Sequence, residues 1–98
     1  VLLLDEPLGA LDALTRMKMQ DEVLRLWESR GTTMLLVTHD IDEAIYMSDE
    51  IVIMTPRPGR IERTLRVEIP RPRDRSSPEF LKLRGDILEM LHFAGHEA

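Results

Sequence analysis

The chain contains no cysteine. Neither a disulfide framework nor a thiolate metal site is available to it, which suits a reducing, cytoplasmic setting. It also lacks any apolar run near the roughly 18 residues that a membrane-spanning helix needs, and no basic-then-apolar leader opens it. A role at a membrane would have to work through a partner. Positive charge is in deficit: 13 Lys and Arg against 18 Asp and Glu leave a formal net charge of -5, which argues against nucleic acid as a ligand. Internal repeats and low-complexity tracts are absent as well. What is present is 98 residues, 43% hydrophobic and 32% charged, a globular composition amounting to one domain at most. A chain of this length buries only somewhat more than about 60% of its unfolded surface, so its core is modest.

The opening stretch, Val1-Leu2-Leu3-Leu4-Asp5-Glu6-Pro7, organises the rest. Four aliphatic residues ending in two carboxylates predict a strand buried on both faces that carries acid to its C-terminal tip, where open α/β sheets bind ligands. Pro7 ends that strand and turns the chain. A strand destined for a sheet interior, with no initiator Met ahead of it, reads as the start of a piece whose missing part lies upstream.

Asp12 is placed to cap a helix running to about Arg30, with Gly31 as its left-handed stop. Met19, Val23, Leu26 and Trp27 fall on one face, predicted to cover the sheet, with Arg16, Lys18, Glu22 and Arg25 on other faces. Thr32 to Val37 is a second short apolar strand, and a crossover of this length implies a parallel, right-handed pair. Asp40 and Glu43 fit a capping box for a short helix from Ile41 to about Met47. Glu50 to Met54 reads as a third strand and Pro56-Arg57-Pro58-Gly59 as a turn. Arg60 to Ile69 alternates charge with Ile61, Leu65, Val67 and Ile69, the pattern of a half-exposed antiparallel strand at the sheet edge. Pro70 to Ser76 is an extended connector, and Ser77-Pro78 starts a final helix that ends near Phe93, with Phe80, Leu83, Ile87 and Leu91 on one side. The seven arginines between Arg57 and Arg75 are diluted by Glu62, Glu68 and Asp74 and have no interleaved aromatics, so they read as a solvated face.

Asp5-Glu6-Pro7, the Gly9-Ala10-Leu11-Asp12 turn and Thr38-His39-Asp40 after a second apolar run resemble, in order and spacing, the Walker B, D-loop and H-loop segments of the nucleotide-binding subunits of ABC transporters. The Pro/Arg-rich segments and the terminal helix look like the importers for nitrate, sulfonates and taurine. The fold implied is α/β, a partial P-loop NTPase (ABC ATPase) fold with parallel strands and crossover helices, a C-terminal β-hairpin and a terminal helix. Residues 1–75 would be the later part of the ATPase core and 76–98 the C-terminal helix.

That resemblance implies roles. Asp5 would hold Mg²⁺ through a water molecule, and Glu6 would position and deprotonate the attacking water. His39 would contact the γ-phosphate of ATP, because an imidazole can donate at one nitrogen and be oriented through the other. Asp12, in the D-loop, would help to shape the partner's nucleotide site, a role compatible with capping a helix. Implied partners are a second ATPase subunit and membrane-spanning permease subunits, at the cytoplasmic face of the membrane, with no nucleic acid.

A Gly-x-x-x-x-Gly-Lys-Ser/Thr loop, a Q-loop and a Leu-Ser-Gly-Gly-Gln signature are missing from these residues. Backbone nests and their lysine supply most phosphate affinity, so Asp5, Glu6 and His39 would meet ATP with two acids and little positive charge. The expectation is a chain that does not hydrolyse ATP alone, and that binds ATP and Mg²⁺ only as part of a complete domain. The alternative is a non-catalytic module that self-associates through the exposed apolar edge at Val1 to Leu4.

Overall fold

The computed structural model describes residues 1–56 and 59–95. Arg57 and Pro58 of the expected turn lie outside them. The elements run β1 (Leu2–Asp5), α1 (Ala13–Arg30), β2 (Met34–Val37), α2 (Ile41–Met47), β3 (Glu50–Met54), β4 (Ile61–Arg66) and α3 (Pro78–Phe93). The α/β class and the order of elements match the expectation. Two compact units divide the chain, the first from Val1 to Glu43 and the second from Ala44 onward.

In the first unit β1 and β2 are parallel, in the register Leu2↔Met34 to Asp5↔Val37. Asp12 caps α1, its carboxylate accepting from the Thr15 N–H at 2.8 Å, and Gly31 ends the helix at φ 64, its N–H donating to the Trp27 carbonyl. Gly31 can turn there because it carries no Cβ to clash in the left-handed region.

Two expectations fail in this unit. β1 is not buried on both faces: Leu2 and Leu3 are exposed, as are Leu35 and Val37 of β2. A two-stranded sheet has too few neighbouring elements to cover both faces of a parallel pair. The apolar stripe expected on α1 is also out of phase, since Met19 and Leu26 are exposed while Gln20 is only 3% exposed. Gln20 and Arg16, one turn apart, face inward and are held by polar bonds instead.

In the second unit β3 and β4 form an antiparallel sheet of their own, and no ladder among the described residues joins it to β1–β2. The expected edge hairpin is thus a separate sheet. Ile51 and Ile53 of β3 are buried, and so are Val67, Phe80 and Ile87, with Leu83 and Leu91 partly covered beside them on α3. Ser77 caps α3 by accepting from the Phe80 N–H at 3.2 Å, with Pro78 in the first turn. β4 ends at Arg66, short of the predicted Ile69. Its alternation also breaks: Ile53 pairs with Arg63, but Met54 pairs with Ile61, so Glu62 is an extra residue. One inserted residue in a period-two strand moves everything beyond it to the other face, and Ile61 is accordingly 66% exposed.

The arginines do not form a solvated face throughout. Arg73 is only 7% exposed, and its guanidinium donates to the carbonyls of Ser48 at 2.6 Å, Ile45 at 2.8 Å and Ile69 at 2.8 Å. Arg71 donates to the Met47 carbonyl at 2.9 Å and pairs with Asp49 at 2.6 Å. Arg75 lies 3.6 Å from the centre of the Tyr46 ring. A helix ends in unpaired carbonyls that carry partial negative charge, and the Arg71 and Arg73 guanidinium groups supply the missing donors at the end of α2. Burial, followed by the like charge of Arg71, holds the Arg73 guanidinium below its ordinary value, while Asp49 acts in the opposite sense.

Candidate functional site

Because β1 and β2 are parallel and in register, Glu6 and Thr38-His39 leave the sheet at the same end. The Glu6 N–H donates to the Val37 carbonyl at 2.7 Å, extending the ladder by one residue. At that residue the backbone turns left-handed, with φ 49 at Glu6. The strand ends before Pro7 and the chain turns there as expected, with the left-handed residue at Glu6 opening the turn. Such a conformation costs a non-glycine residue on the order of 1–2 kcal/mol, and held strain of this kind clusters at sites of function.

The left-handed turn sends the Glu6 carboxylate to His39, whose Nε2 lies 3.2 Å from Glu6 Oε1. The imidazole is 95% exposed, open to a ligand on every other side. Glu6 and His39 line an open cleft of about 360 Å³ together with Leu8, Gly9, Arg16, Thr38, Asp40 and Glu43. Leu8 is the buried anchor of the turn behind it, where the Gly9 N–H donates to the Glu6 carbonyl at 3.3 Å and the Leu11 N–H to the Leu8 carbonyl at 3.2 Å.

Asp40 is the hinge pin of the opposite wall. Its N–H donates to Thr38 Oγ1 at 3.0 Å, one carboxylate oxygen accepts from the Glu43 N–H at 3.2 Å, and the other pairs with Arg16 Nη1 at 3.0 Å. The expected capping box is thus half formed. Asp40 caps α2, whereas the Glu43 carboxylate faces Gln20 Nε2 at 3.5 Å and does not return to the Asp40 N–H.

Of the four residues singled out from sequence, the cleft unites Glu6 and His39. Asp5 sits at the end of β1 opposite Val37 and does not line it. Asp12 is engaged in capping α1, with its second carboxylate oxygen accepting from Thr15 Oγ1 at 3.1 Å. Those bonds to the Thr15 amide, then to its hydroxyl, hold the Asp12 carboxyl below its usual range. Arg16 lines the cleft without having been singled out from sequence, which placed it only on a face of α1 other than the apolar stripe. Its spacing of four from Asp12 and from Gln20 was the available signal, because these three share a side of the helix.

Asp5 stands alone as a candidate metal ligand: among the described residues, no three His, Cys, Asp or Glu side chains gather where one ion could be held. Magnesium is commonly held by one or two carboxylates with phosphate oxygens and water completing the octahedron. A single carboxylate such as Asp5 is compatible with that donor set, and the described residues hold no metal centre of their own. No described helix is long and apolar enough to cross a membrane.

No family model matches the chain. The chain is 50% identical over 95 residues to an aliphatic sulfonates import ATP-binding protein, SsuB, of Bacillus cereus, an alignment covering 97% of this chain and 38% of that protein. A second SsuB protein, from Pseudomonas savastanoi, is 52% identical over 96% of this chain and 40% of its own length. An uncharacterised ABC transporter ATP-binding protein of Methanocaldococcus jannaschii is 48% identical over 93% of this chain and 34% of its own length. The chain is therefore related to the ATP-binding proteins of ABC transporters. Among the relatives named here two are aliphatic sulfonate importers' ATP-binding proteins, and the chain spans about two fifths or less of their length.

Proposed function

We propose that this chain supplies the water-activating half of the nucleotide site in the ATP-hydrolysing subunit of an importer for small anions such as sulfonates. The observation that carries the reading is the Glu6–His39 pair, 3.2 Å apart on an open cleft at the C-terminal ends of parallel strands. Hydrolysis of a phosphoanhydride needs a base that orients water and a donor at the phosphate, and this pair has the chemistry for both. Glu6 takes the water, His39 donates to the γ-phosphate and is steadied by Glu6, and Asp5 contributes a carboxylate to Mg²⁺. Asp12 shapes the Gly9–Asp12 turn toward a second subunit. Such a subunit works at the inner face of a membrane through membrane-spanning partners, and no described helix of this chain is long and apolar enough to cross one.

On this reading the 98 residues correspond to the later segments of the ATP-binding proteins, with the phosphate-binding loop and signature supplied by other residues. The test mixes the chain with a polypeptide carrying those segments of an SsuB-type protein. ATP turnover should appear in the mixture, be absent from the chain alone, and disappear with Glu6→Gln while ATP remains bound. Turnover in the mixture that is indifferent to Glu6→Gln sinks the assignment.

A second reading, a non-catalytic self-associating module, is favoured by the apolar surface that β1 and β2 leave uncovered, with Leu3 60% and Leu35 56% exposed. Sedimentation at micromolar concentration decides it: a stable dimer with no affinity for ATP supports the module, and a monomer removes it.

A further inference from the structure

Arg16 reaches three acceptors on two loops. Its Nε and Nη2 donate to the carbonyls of Leu8 at 3.2 Å and Leu11 at 2.8 Å, and its Nη1 to Asp40 at 3.0 Å. The first two carbonyls belong to the turn that follows Glu6, and Asp40 immediately follows His39. With 95% of its side chain exposed, His39 takes its place from the backbone that carries it, and that backbone is anchored through Asp40.

We propose that Arg16 is the positioning residue that holds His39 at Glu6, by tying the Leu8–Leu11 turn to the residue after His39. The inference rests on Glu6 and His39 being a working pair. A planar guanidinium suits the task, since it presents donors in a fixed fork toward several acceptors at once, whereas an ammonium is a single compact charge. Only a quarter to a third of each partner's side chain is exposed, 28% for Arg16 and 33% for Asp40, so water competes less for this pair than for a surface one.

The experiment is proton NMR of the His39 ring in the 98-residue chain, comparing its response to Glu6→Gln in three backgrounds: wild type, Arg16→Ala and Asp40→Asn. Asp40→Asn keeps the oxygen that caps the Glu43 N–H and removes the charge that Arg16 holds. In the wild-type background the His39 resonance should move with Glu6→Gln. In both altered backgrounds that response should be lost, with far-ultraviolet circular dichroism unchanged, and Arg16→Lys should restore only part of it. A response that survives in both backgrounds overturns the proposal. A response absent even in the wild-type background removes the Glu6–His39 pair itself, a different failure that takes the proposal with it. Should Arg16→Ala unfold the chain, Asp40→Asn alone decides.

Discussion

Arg73 and Ser48, 25 residues apart, are joined by a 2.6 Å bond from guanidinium to carbonyl. The same guanidinium reaches Ile45 at 2.8 Å, so a charge from the proline-rich connector closes the end of α2. Removing it strands carbonyls in a site where water does not replace it. Each buried acceptor left unpaired costs about 1–3 kcal/mol, so Arg73→Ala should lower stability by about 2–4 kcal/mol. Arg73→Lys should recover less than half of that loss, because one ammonium cannot span the same carbonyls. Urea titration followed by circular dichroism measures both, and an Arg73→Ala chain within about 0.5 kcal/mol of wild type would show the clamp to be idle.

Glu6 is held at φ 49. Glycine takes that conformation freely, at an unfolded-state entropy cost of roughly 0.5–1 kcal/mol against about 1–2 kcal/mol of relieved strain. Glu6→Gly should therefore stabilise the chain by up to about 1 kcal/mol while deleting the carboxylate at His39. An increase in the urea midpoint is the expected result. A clear decrease would mean that the contact with His39 outweighs the strain.

Ile61 and Ile53 offer a paired test of the inserted Glu62. If the insertion turns Ile61 to solvent, Ile61→Thr should change stability by no more than about 0.5 kcal/mol, as surface changes usually do. Ile53→Ala, at a buried position, should cost about 2–5 kcal/mol. Comparable losses at both positions would argue for an unbroken alternation with Ile61 inside.

Asp12 makes the start of α1 sensitive to acid. Its carboxyl is held below the ordinary range in the folded chain by the Thr15 amide and hydroxyl. A carboxyl of lowered value contributes stability that is fully present above the unfolded range near pH 4 and is lost as pH falls through its folded value. Helical signal from the native chain should therefore fall in that acid window more steeply than from Asp12→Asn, which can cap without titrating. Identical acid profiles would count against this.

The elements that were legible in the sequence are those whose determinants are local. Asp12 with Thr15, Gly31, and Ser77 with Pro78 fix helix ends within a few residues, and all three boundaries were found where expected. Glu6 and His39 were legible through the resemblance of Asp5-Glu6-Pro7 and Thr38-His39-Asp40 to the Walker B and H-loop segments, and the parallel pairing of β1 and β2 brings the two positions together. Arg73 was not, because the α2-end carbonyls it closes, those of Ile45 and Ser48, lie 28 and 25 residues earlier and no periodicity marks them. Arg16 was hidden for a similar reason: among hydrophilic residues on a helix, polar contacts to loops look the same as solvation. Gln20 misled the apolar phase of α1 because burial of an amide depends on a partner, here Glu43, that hydropathy does not register. Glu62 breaks an alternation that reads as continuous until the register is known.

The distribution of buried apolar side chains has a dynamic consequence. Among the described residues Leu8 is the one such side chain in the first unit, whereas Ile45, Tyr46, Ile51, Ile53, Val67, Phe80, Ile87 and Ala94 lie in the second. Regions with few buried contacts open at low free energy, and binding loops are drawn from that end of the scale. In a deuterium-exchange experiment the amides of β1, β2 and the loops bearing Glu6 and His39 should exchange early, and those of β3 and α3 late. The residues proposed for chemistry thus sit in the part of the chain that gains most order from whatever binds it, so ligand binding should register first as slowed exchange there.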